Sequence, residues 1–90
     1  MPEVQEIKNR MKGDGFTLIT EYNDPANEHF PLHDHERDEF LVVISGSISF
    51  AADNEEFVLS AGDERFFPAK QSHSATIGPS GCFYIVGEKE

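Results

Sequence analysis

The sequence predicts an all-β domain, a small sandwich or barrel preceded by one short helix. Three observations carry this. The apolar content, 38% of 90 residues, comes largely from eight Phe and from branched side chains, with no Trp and two Met, a bias that suits pleated strands better than helices. The hydrophobic period changes from helical to two at Phe16. Beyond it, roughly eight short apolar stretches alternate with clusters of turn residues, the pattern of a sandwich or barrel. A chain this short makes one domain: residues 1–90, with a helix and turn over 1–15 and the barrel over 16–87.

From Pro2 to Lys12, Val4, Ile7 and Met11 recur at helical spacing, and Gly13 and Gly15 follow where a helix would stop. A helix lying over one end of the core is expected, with a frayed terminal segment as the alternative because the pattern is brief. Residues 16–22 alternate as a strand and 23–27 form a loop. A strand over 29–35 contains Pro31, which argues for an edge or an irregular ladder. Residues 39–45 are nearly all apolar, as expected of a strand covered on both faces. Gly46 and Ser47 suit a tight hairpin turn, 48–51 alternate again, and Asp53 and Asn54 make the next turn. Strands then follow over 56–59, 65–67, 72–77 and 82–86, with the segment 78–81 between the last two read as a turn.

Seventeen acidic against seven basic residues give a formal charge of −10, which repels phosphate backbones and anionic lipid surfaces. Nucleic acid and membrane are therefore not expected as partners, and no apolar run reaches the length of a membrane span. The single cysteine, Cys82, has no intrachain disulfide partner, and the first residues lack the pattern of a secretory leader. A cytoplasmic setting is the expectation.

The chemistry concentrates at residues 33–39 and 73. If the backbone is extended, His33 and His35 leave the same face of one strand. Glu39 returns a carboxylate from the next strand, and His73 shares its face with Ala75 and Ile77. Three imidazoles and a carboxylate on a rigid sheet suit one divalent transition metal, and the donor set does not choose among Fe, Mn, Ni, Co, Cu and Zn.

These residues resemble the two motifs of the cupin superfamily. His33, His35, Glu39 and Gly46 fall at the spacings of the first, and Gly62, Pro68 and His73 at those of the second. Asn27 stands where the first motif opens with glycine, Lys70 replaces the glycine after Pro68, and Ile77 replaces the closing asparagine. The resemblance implies a small double-stranded β-helix, a jelly-roll barrel, with a metal held by His33, His35, Glu39 and His73 near one open end and positions left for water, substrate or dioxygen.

Two further residues are candidates for substrate binding. His29 has the parity of His33 and His35, so it faces the barrel mouth unless Pro31 breaks that parity and leaves it a solvated loop residue. Arg65 shares a face with Phe67; it either anchors an anionic group of substrate or lies at the rim against a surface acid. Residues 88–90 read as a solvated tail. The functional expectation is a metal-dependent enzyme acting on a small oxygenated metabolite by oxygenation, isomerisation or decarboxylation, with a non-catalytic metal-binding or small-molecule-sensing barrel as the alternative. The expected partners are a small-molecule ligand and a second copy of the chain in a homodimer.

Overall fold

The structure, a computed structural model, describes residues 3–90. The chain runs α1 (Val4–Gly13), β1 (Leu18–Asp24), β2 (His29–His33), β3 (Glu39–Ala52), β4 (Glu55–Ser60), β5 (Glu64–Phe67) and β6 (His73–Glu88). Pro2, the first residue of the expected helix, lies outside the described residues. All strand pairings are antiparallel, and β3 and β6 pair with each other along nearly their whole lengths.

Six strands do the work of the expected eight, because β3 and β6 are long enough to serve two sheets. Their outer halves, Glu39 to Gly46 against Cys82 to Glu88, are flanked by β1 and β5. Their inner halves, Ile48 to Ala52 against His73 to Ile77, are flanked by β2 and β4. The chain does not reverse at Gly46 and Ser47 as the sequence suggested, nor between Gly78 and Gly81. Instead the β3–β6 register shifts after Val43 and again after Gly46, and residues 78–81 loop out opposite Ser47. Glycine is demanded there by contact. Gly46 has φ 77°, and a Cβ on it would lie 2.0 Å from the carbonyl oxygen of Gly81, whose own φ is 79°. Glycines that looked like hairpin punctuation are a paired irregularity that lets both strands bend from one sheet into the other.

The bend sets two apolar layers. Leu41, Val43, Ile48, Phe50, Phe67, Ala75, Ile77 and Tyr84 fill the space between the sheets. Val42, Ile44 and Ile85 point the other way and are covered by Ile7 and Met11 of α1 together with Phe16. This is why residues 39–45 read as apolar on both faces. The helix therefore lies on the outer face of one sheet and not over the end of the core. It stops where Asp14 N–H donates back to the Arg10 and Met11 carbonyls and Phe16 N–H to that of Met11. Ion pairs from Lys8 to Glu21 and from Arg10 to Glu64 tie it to the flanking strands. No described helix is long and apolar enough to cross a membrane.

Candidate metal centre

His33 closes β2, His73 opens β6, and the two are direct cross-strand partners. The β2–β6 register shifts between Phe30 and His33, so the irregularity at Pro31 turns His33 inward while His29 stays outward. His35 follows in the connection to β3, where Lys70 N–H donates to its backbone carbonyl at 2.8 Å and Ala69 N–H donates to Asp38 Oδ1 at 2.7 Å. The loop before β6 thus clamps the segment that carries His35. Lys70 and Asn27, the two residues standing in for motif glycines, both have positive φ, 69° and 67°. Asparagine adopts this conformation readily, whereas lysine does so under strain.

The three imidazoles converge. Ring centroids are 4.6 Å apart for His33 and His73, 4.9 Å for His33 and His35, and 5.3 Å for His35 and His73, and one nitrogen from each lies within 4.8 Å of the others. The outer nitrogens are tethered: His33 Nδ1–H donates to the Pro31 carbonyl at 2.6 Å and His73 Nδ1–H to that of Gln71 at 3.1 Å. A carbonyl can only accept, so the proton sits on Nδ1 and the lone pair of Nε2 is left free, the arrangement metal-binding histidines use. Burial, then the neighbouring imidazole of His33, lowers the pKa of His35; burial likewise lowers that of His73, which is 4% exposed. Both shifts favour the neutral, ligating form.

Glu39 is 8% exposed and sits beside this cluster rather than within it. Its Oε2 is 3.2 Å from His35 Nδ1, and it groups with His35 and Glu88. Glu88 is the cross-strand neighbour of Glu39. Burial first, then the hydrogen bond and charge of Glu88, push the Glu39 carboxyl up to about 7. Glu88 belongs to β6, not to a solvated tail. The signal for it was present in the alternation Cys82, Tyr84, Val86, which carries one step further to Glu88.

The cluster forms one wall of a cavity of about 250 Å3 whose other walls include Leu41, Phe50, Phe67, Tyr84 and Asp24. Phe67 packs on His73 with centroids 4.9 Å apart, keeping that imidazole in an apolar seat. The two expected substrate contacts do not line this cavity. His29 is exposed and bonded to the Thr76 hydroxyl at 2.8 Å. Arg65 keeps the predicted parity, but its guanidinium lies 3.9 Å over the Phe57 ring and pairs with Glu55 at 3.0 Å, the rim arrangement that the sequence left open.

A bent two-sheet barrel with clustered imidazoles facing its cavity defines a class of small β-barrel with a candidate metal end. The chain belongs to the cupin family, whose cupin domain model matches residues 21–80. No curated protein matches it. Similar solved structures include KdgF from Halomonas sp., 20% identical with TM-score 0.69 over 80% of this chain and 68% of that one. An RmlC-like cupin from Shewanella frigidimarina is 23% identical, TM-score 0.70, over 80% and 65%. A variant of oxalate decarboxylase from Bacillus subtilis is 19% identical, TM-score 0.74, over 80% of this chain and 20% of that one. At these identities the likeness is one of fold, and the chain spans about two thirds of the first two proteins and a fifth of the third.

Proposed function

We propose that this cupin binds one divalent transition metal through His33, His35 and His73, with Glu39 as the fourth donor, and acts as a metal-dependent enzyme on a small oxygenated metabolite. The observation that carries the reading is the set of three imidazoles that each bring one ring nitrogen within 4.8 Å of the others, while the Nδ1 atoms of His33 and His73 are tied back to carbonyls. The donor set, three neutral nitrogens and a carboxylate, fits such an ion.

A metal held there supplies Lewis acidity and an exchangeable position for substrate. The chain's own residues do the rest. Phe50, Phe67 and Leu41 exclude water from the cavity wall, strengthening polar contacts made inside it. Burial, then the neighbouring Glu88, pushes the Glu39 carboxyl up to about 7, and Glu39 must give up its proton to ligate. Oxygenation, isomerisation and decarboxylation all suit this arrangement, and a neighbour named as a decarboxylase is consistent with it.

Elemental analysis after reconstitution tests the proposal. About one metal per chain is expected, falling severalfold in His73→Ala while the far-ultraviolet circular dichroism stays unchanged. Protein that takes up no metal from Fe, Mn, Ni, Co, Cu or Zn would overturn it.

A further inference from the structure

The cavity has a second polar end that the metal reading does not use. Tyr22 and Asp24 of β1 point inward opposite Tyr84 and Cys82 of β6. The Tyr84 hydroxyl, on a side chain only 6% exposed, donates to Asp24 Oδ2 at 2.6 Å. The Tyr22 ring stacks on Tyr84 with centroids 5.2 Å apart, and Glu28 lines the same cavity. A carboxylate offers about four acceptor directions, and Tyr84 occupies one of those of Asp24. Between this end and the histidines the wall is apolar.

The cavity's charge is one-sided. Asp24, Glu28 and Glu39 line it, and none of the seven Lys and Arg side chains does. Four of those cations are paired elsewhere: Lys8 with Glu21, Arg10 with Glu64, Arg65 with Glu55 and Lys70 with Glu36. An anionic group entering the far end would lose its hydration, find no cation and face carboxylates across an apolar wall. A hydroxyl or ammonium would meet acceptors.

We propose that the ligand of this cavity is neutral or cationic at the end remote from the histidines, where it presents a hydroxyl or ammonium donor to Asp24, and that a carboxylate or phosphate at that end is rejected. This rests on the histidine cluster anchoring the ligand's other end. Charge at the far end, and not the metal, makes the selection.

Three probes with the same pair of vicinal ring hydroxyls test it: dopamine, 4-methylcatechol and 3,4-dihydroxyphenylacetate, titrated calorimetrically under nitrogen into zinc-treated protein. Dopamine is expected to bind roughly ten-fold more tightly than the acid, with 4-methylcatechol between them. Asp24→Asn should bring dopamine and 4-methylcatechol close together, and Glu28→Gln should narrow the gap in the same direction should the first variant fold poorly. Equal or tighter binding of the acid, an order that survives both variants, or no binding of any probe would overturn the proposal. Zinc content of the same samples reports on the metal centre separately. Protein that holds no zinc but keeps the order among probes would sink the metal reading and support the selection by charge.

Discussion

Glu39 is held against its own charge, buried between an imidazole and a second carboxyl. Its carboxyl titrates at about 7 in the folded chain against an ordinary 4.5, so between these values the folded state holds a proton that the unfolded state has lost. Stability of the metal-free protein should therefore fall as pH rises from about 4.5 to about 7, by up to roughly 3 kcal/mol. His35 and His73 act in the opposite sense. Their lowered pKa contributes stability above 6.5 that is lost as pH falls through the folded values. Urea titrations at a series of pH values should show Glu39→Gln removing the decline toward pH 7 and keeping the histidine-driven loss in acid. A decline unchanged in the variant would move the titration to another group. Cys82 has its thiol pushed up to about 11, mainly by burial, and should stay unlabelled by a thiol reagent at pH 8 until the protein unfolds. The roles of these residues were unevenly legible in the sequence. The spacing of His33, His35 and His73 marked three donors for one site, although period two is not what joins them, since His33 follows a register shift and His35 lies in the connection after β2. For His29 the sequence left two readings open, and the irregularity between Phe30 and His33 goes with the solvated one; at Glu88, acidic neighbours at the end of the chain hid one more step of alternation.

At the scale of elements, the bend shared by β3 and β6 makes the barrel. Composition cannot tell a glycine that reverses a chain from one that lets two strands touch, so the six-strand arrangement could not be read from turn residues alone. The hairpin at Asp53 and Asn54 could, since both have positive φ, 49° and 63°, and these residue types tolerate it. Two alanine substitutions separate contact from conformation. Gly62 has φ 92° with nothing within 4 Å of an added Cβ, so Gly62→Ala should cost about 1 kcal/mol from backbone strain alone. Gly46→Ala adds a Cβ 2.0 Å from the Gly81 carbonyl oxygen and should cost at least about 3 kcal/mol or prevent folding. Equal effects in chemical denaturation would mean that the bend tolerates a side chain. Lys70→Gly relieves a positive φ in the loop that holds His35 and should raise the melting temperature by a few degrees. On the outer layer, Met11→Ala empties a side chain only 2% exposed between α1 and the sheet and should cost about 2–4 kcal/mol.

At the scale of the molecule, two strands crossing from one sheet to the other bring β2, the connection after it and the start of β6 to one end of the barrel, so that residues 33, 35 and 73 meet at the cavity. The same crossing sets β1 against the far half of β6 and places Asp24 and Tyr84 at the cavity's other end. The motif spacing made the first of these visible in advance. The second depends on pairing between strands about sixty residues apart, which no local pattern records. The measurement that bears most directly on the metal centre is anomalous diffraction from crystals of zinc-loaded protein. A single strong peak is expected within about 2.0–2.1 Å of one nitrogen each from His33, His35 and His73, with the Glu39 carboxylate turned away from Glu88 toward the ion. A peak held by Glu39 and Glu88 without His33 and His73, or no ordered metal at the histidines, would contradict the assignment.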